Sequence, residues 1–254
     1  MKKLMIGTAL TLFAFSTAYA QDYQVELGAA YLNGEINGVD YDGFGLNAEF
    51  HFEKVDTSKG PLNEAAFLDK SSFASLTWVT LDPDAPGADS EDTIDLEGRF
   101  ILQNKFILEA GFTDLEDDEA FRLGFGTYLT KNLDAVLSYE NFDDADASSL
   151  SVDLHGVNKL KGSTSVAFDF GFAILDVNDD TGYGISAGAD YYLDRKLSIG
   201  GSVALESVDD VDVSTLQVGV NYFVTPVVRI GADLISLGKD ADGETLAVNA
   251  NVRF

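Results

Sequence analysis

Ser151, Asp153 and His155 carry the three side-chain types of a nucleophile, an acid and a base. On a strand, positions two apart point the same way. Their side chains then run parallel and do not converge on one reacting atom, as a hydrolytic triad must. His51 and His155 are the two histidines, and cysteine is absent. That leaves no thiolate nucleophile and no third imidazole for a zinc site. Asp240, Asp242, Gly243 and Glu244 begin like a calcium loop, but the ligand at position twelve is missing. These residues imply neither an enzyme nor a bound metal or cofactor.

The charged side chains are more informative. The chain has 43 Asp and Glu against 16 Lys and Arg, a formal charge of −27. Such a chain is a poor partner for nucleic acid, whose phosphates demand cations. Aromatics make up 11 % of 254 residues, with 24 Gly and only 4 Pro, which favours a folded, strand-rich protein over an acidic disordered one.

The segments that position these charges alternate with period two. Phe121, Leu123, Phe125 and Leu129 are interleaved with Arg122, Gly124, Gly126 and Tyr128. Thr164, Val166, Phe168, Phe170, Phe172 and Ile174 repeat the pattern around Ser165, Asp169 and Gly171, and Leu246, Val248, Ala250, Val252 and Phe254 close the chain with it. Tyr23, Val25, Leu27, Ala29 and Tyr31 open it, and residues 71–81 form a further strand whose register the pattern leaves undefined. The count is about 14 strands, within a range of 12–16, each of about ten residues, the length a tilted strand needs to cross a bilayer. With one face apolar and the other polar, the arrangement that satisfies every backbone group in lipid is a closed sheet. The predicted fold is therefore all-β: a single antiparallel up-and-down transmembrane barrel, apolar outside and polar inside.

Met1–Lys2–Lys3, an apolar run from Leu4 to Phe15, and Ala18–Tyr19–Ala20 read as a cleaved export signal over residues 1–20. The barrel then covers 21–254, and loss of Lys2 and Lys3 takes its formal charge from −27 to −29. Its connections alternate in kind. Residues 103–105, 130–132, 158–162, 194–196 and 224–226 are short and mostly basic, whereas 34–42, 82–92, 114–119, 142–148, 176–181, 207–212 and 238–244 hold 25 Asp and Glu against Lys239. Short periplasmic turns and longer external loops are the barrel habit, so the acidic set is expected to face outward. One connection breaks the rule: residues 53–70 make a long periplasmic turn. It reads as an ordered turn packed under the barrel mouth rather than a plug, since so few residues cannot fill a wide lumen alone.

The closing Asn249–Ala250–Asn251–Val252–Arg253–Phe254 resembles the C-terminal signal by which the barrel-assembly machinery recognises its substrates, with Phe254 as its key residue. With the export signal, the hairpin repeat and Lys59–Gly60–Pro61–Leu62–Asn63–Glu64–Ala65–Ala66–Phe67–Leu68, the mature chain resembles the small general-porin-like barrels of Gram-negative gammaproteobacteria. The resemblance implies an outer-membrane location among lipid and lipopolysaccharide, and passive diffusion of small hydrophilic solutes. It implies the 14-stranded monomeric kind of channel, for no loop is long enough to be the constriction loop of the larger trimers.

The face opposite the apolar one holds Glu26, Glu49, Asp95, Glu97, Glu109, Asp134, Glu140, Asp153, Asp169, Asp190, Glu206 and Asp233, with Arg99, Arg122, Arg229 and Arg253. Twelve acids cannot all pair with four bases, so a wet channel is expected, and its carboxylates should favour cations. The candidate pore-lining residues are Arg99, Glu109, Arg122, Glu140, Asp153, Asp169, Asp190, Arg229 and Asp233. Counting from the turns puts Arg99 beside Glu109 and Arg122 near Glu140, as either a transverse field or a set of braces. The competing reading is a narrow structural or surface-interaction barrel whose acidic loops bind divalent cations or lipopolysaccharide.

Overall fold

A computed structural model describes residues 22–115, 118–143, 147–178 and 180–254. The predicted export signal and parts of three expected acidic loops lie outside the described residues. Fourteen strands follow one another: β1 (Asp22–Ile36), β2 (Val39–Asp56), β3 (Phe73–Pro83), β4 (Glu91–Ile101), β5 (Phe106–Leu115), β6 (Asp118–Tyr128), β7 (Leu133–Phe142), β8 (Ala147–Lys159), β9 (Ser165–Val177), β10 (Asp180–Tyr192), β11 (Leu197–Val208), β12 (Val211–Thr225), β13 (Val228–Lys239) and β14 (Gly243–Arg253). Each pairs antiparallel with its chain neighbours, and β1 pairs with β14 to close the barrel.

Leu46, Phe121, Leu123, Phe125, Leu137, Ile199, Leu216 and Leu234 stand roughly half exposed on the outer surface. A belt of this size would be an aggregation hazard in water and is the lipid-facing surface of a membrane barrel. Residues 71–81 gain a register here. Leu76 and Trp78 lie opposite Leu96 and Ile94, so both face lipid, while Ser75 and Thr77 turn inward.

Three expectations need correction. First, most of the expected acidic loops are strand. β1 and β2 are joined by Asn37 and Gly38 alone, with φ of 51° and 81°, and β11 and β12 by Asp209 and Asp210. Such two-residue turns match the right-handed twist of a hairpin and let the ladder run to its tip. The acids therefore form a rim of strand ends.

Second, Tyr23 does not face lipid. The N–H groups of Gln24 and Val25 both donate to the Phe254 carbonyl, at 2.6 and 3.2 Å, and the β1–β2 register shifts at the same point. That is a bulge, and it reverses the facing of the residue before it. Tyr23 is buried inside, under the Arg253 guanidinium at 4.5 Å.

Third, the long connection does not stay beneath the barrel. β2 continues to Asp56, and residues 57–72 then turn into the mouth at the end that carries Asp22 and Phe254. They form a 3-10 turn at Thr57–Lys59 and a short helix, α1 (Ala65–Asp69), closed by Lys70 in the left-handed conformation. Ala65 packs on Tyr23 and Val55. Phe67 packs on Ile107, Tyr128 and Val136 and, with Leu68, on Val157, Ala167 and Tyr192. The segment thus reaches from β1 and β2 across to β10. The objection that it is too short overlooks the wall, whose own inward aromatic and aliphatic side chains meet it halfway.

Candidate functional site

The site is the lumen together with this terminal mouth. The pairing register puts the candidate lumen residues on the face opposite the exposed apolar belt, because side chains alternate along the strands between the bulges. Two groups of opposite character result.

The first group is braced. Arg99 donates to Glu109 at 2.9 Å across the β4–β5 pair and reaches on to Asp134 of β7, which is 2 % exposed. Arg122 lies opposite Glu140 in the β6–β7 register, but its guanidinium turns the other way and pairs with Glu97 on β4. Gly111 stands between them on β5. With no side chain there, the long arginine crosses the intervening strand.

The second group is acidic. Asp169, Asp190 and Asp233 line a cavity of about 400 Å³ over β9–β13, among Ser186, Ser202, Gln217, Asn221 and several glycines. Gln217 donates to Asp233 at 3.1 Å. Asp153 accepts from Ser151 at 2.8 Å on β8. Among the described residues no cation pairs with Asp153, Asp190 or Asp233.

The remaining three arginines, Arg195, Arg229 and Arg253, hold the mouth segment. Arg229 donates to the Asn63 side chain and to Asn251 at 2.8 Å, with Glu26 at 3.8 Å. Arg253 pairs with Glu26, donates to the Leu62 carbonyl at 2.8 Å, and stacks over Tyr23 and Phe223. Glu64 enters the lumen and accepts from the Tyr192 hydroxyl at 2.5 Å, with His155 Nε2 at 3.0 Å. The other imidazole nitrogen of His155 is 2.6 Å from Asp169. Both of its nitrogens thus face carboxylates, and neither faces Ser151. Tyr128 donates to the Phe67 carbonyl at 3.1 Å, Arg195 donates to the Gly60 carbonyl at 2.9 Å, and Ser71 lies 2.9 Å from His51 Nδ1. Hydrogen bonds to charged groups in a poorly solvated site are the stronger kind, so the segment is fixed from both sides of the barrel.

Asn63, Glu64, Phe67, Tyr128 and Tyr192 are absent from the sequence-derived candidate list. The signal for them was the break in alternation near the terminal turns. Ile107, Val136, Val157 and Ala167 are apolar on the inward face and buried, which a water-filled mouth would not require.

Similarity to known proteins agrees with this architecture. The family model described as "Putative general bacterial porin" matches residues 1–150. No curated protein sequence matches. Among solved structures, the outer membrane protein Omp33 of Acinetobacter baumannii superposes with a TM-score of 0.69 at 22 % identity, covering 92 % of this chain and 99 % of that one. A bacterial polysaccharide outer membrane secretin gives 0.51 at 10 % identity, over 91 % and 99 %. At these identities the likeness concerns the fold. The family match spans more than half of the sequence and falls on a closed barrel with an apolar belt: this chain belongs to that family of general bacterial porins.

Proposed function

We propose that this outer-membrane porin is a cation-preferring passive pore for small hydrophilic solutes, with the chain termini and the 57–72 segment on the periplasmic side. The observation that carries the preference is the division of charge in the lumen. All four inward arginines are engaged, two by wall carboxylates and two by Glu26 and the mouth segment. Asp190 and Asp233 border open space with no cationic partner among the described residues, and Asp169, beside His155, borders the same space. A low-dielectric wall focuses such a field into the pore and raises the local cation concentration. The acidic rim at the far end adds to it. Reversal potentials of the purified barrel in a planar bilayer under a salt gradient test the reading: a cation-selective potential is expected, and an anion-selective one defeats it.

Residues 57–72 stand in the mouth of that path against inward wall residues, so solute flux is expected to depend on how firmly they are held. Their many contacts also favour a second reading: a barrel of little conductance whose acidic rim binds divalent cations or lipopolysaccharide. Conductance steps separate the two, since the second reading requires silence. The leader 1–20 serves export, Phe254 serves recognition by the assembly machinery, and the barrel works as a monomer.

A further inference from the structure

The terminal end of the barrel carries a repeated pairing that the pore reading does not use. Leu102, Leu129, Leu160 and Leu193 are 42–55 % exposed and end the lipid-facing belt at four successive turns. Each is followed within three residues by a cation: Lys105, Lys131, Lys161 and Lys196. At the lower end of β2, exposed Phe52 and exposed Lys54 repeat the arrangement. Among the described residues none of these five lysines has an ion-pair partner, whereas Lys59 pairs with Asp69 and Lys239 with Asp212. Lys105 moreover holds a left-handed backbone conformation, φ 70°, which glycine adopts at less cost. The neighbourhood is positively charged: the Lys70 ammonium, in the connection outside the strands, is held below its ordinary value by burial and then by Lys105, Lys131 and Lys59.

We propose that these lysines form a collar that binds the phosphate headgroups of anionic phospholipid in the leaflet around the terminal end. The apolar member of each pair marks the hydrocarbon edge. A lysine one to three residues beyond it buries its stem along that edge and carries its ammonium to headgroup depth. The cations are spread along the perimeter from β2 to β11, each beside a lipid-facing side chain, which suits a ring of lipids better than a compact soluble partner. Attraction of this kind is electrostatic and short-ranged, falling off within a Debye length. By the proposed orientation the leaflet is the periplasmic one; headgroup binding itself does not depend on that orientation, nor on conductance.

Trp78, the only tryptophan, reports it. It faces lipid on β3, which pairs with β2, the strand of Lys54, and with β4, which leads to Lys105. The refolded barrel is placed in bilayers containing phosphatidylglycerol or phosphatidylcholine with brominated chains, and quenching of Trp78 gives their relative affinity. A preference of roughly threefold or more for phosphatidylglycerol is expected at low salt. It should approach one in 0.5 M salt and in K54Q/K105Q, and persist in K239Q at the far rim. Equal affinity in the unmodified barrel, or a preference indifferent to both salt and K54Q/K105Q, overturns the collar. The salt arm uses the unmodified protein, so the test stands even if the double variant folds poorly.

Discussion

Tyr192 and Glu64 are 128 residues apart in sequence, yet the phenol of β10 donates to the carboxylate of the mouth segment at 2.5 Å. The contact joins the wall to the obstacle in the lumen, so it sets how often the obstacle yields. A hydrogen bond to a charged group is worth about 1.5–3 kcal/mol, or roughly ten- to a hundredfold in an equilibrium. Tyr192→Phe and Glu64→Gln should therefore raise the open probability of single channels by about that factor, with the barrel still folded. Unchanged gating in both variants would show that the segment is not the obstacle.

Orientation can be read on intact cells. Ala88 lies in the exposed connection between β3 and β4 at the far rim, and Asn132 lies at the terminal end between β6 and β7. A cysteine at Ala88 should react with a membrane-impermeant reagent, and one at Asn132 should not. Equal labelling sinks the assignment of the termini to the periplasm.

Selectivity should follow the acidic wall. Replacing Asp169, Asp190 and Asp233 with Asn together should bring the cation-to-anion permeability ratio close to one. In the unmodified barrel the ratio should fall as salt rises, since exposed carboxylates are screened beyond about 10 Å at 0.1 M. Arg122→Glu should raise the ratio less than its change of charge suggests, because it also releases Glu97 from its partner. A ratio insensitive to the triple substitution would place the selective region elsewhere.

Arg99 is a brace, and its loss should appear in stability. Arg99→Met leaves Glu109 and the nearly inaccessible Asp134 without their cation. Breaking a buried pair from one side costs about 3–5 kcal/mol. A reduced urea midpoint in detergent is expected, and an unchanged one would mean that water already neutralises the pair.

Phe254 offers a test of assembly. Its side chain is half exposed on the outside, and its backbone exchanges hydrogen bonds with Gln24 and Val25. Deleting it should lower the amount of barrel in the outer membrane. Normal levels would deprive the residue of an assembly role.

The sequence made the barrel legible because its physics is local. Lipid on one side and a polar lumen on the other impose a period of two, which survives in every long strand. It was least readable in β3, where Ser and Thr blur the two faces. Arg99 and Glu109 could be matched by counting from their turn because they are direct cross-strand neighbours. Counting also put Arg122 opposite Glu140, as the register has it, but could not give the turn of its guanidinium to Glu97, which depends on the space above Gly111. The mouth segment was hidden for another reason. Its partners Tyr23, His155, Tyr192, Arg229 and Arg253 come from five different strands, and only closure brings them round one axis.

That closure has a consequence for the order of events in the cell. Every seam but one joins consecutive strands and can form as soon as a hairpin exists. The β1–β14 seam joins Glu26 to Arg253, and Phe254 extends it with hydrogen bonds to Gln24 and Val25. Until β14 pairs with β1, the sheet carries two bare edges, each able to pair with another chain. Contacts so distant in sequence are also the slow ones to form. The sheet must therefore be kept from other chains until the seam forms, and a chain that lacked β14 would leave an open ribbon instead of a slightly smaller channel.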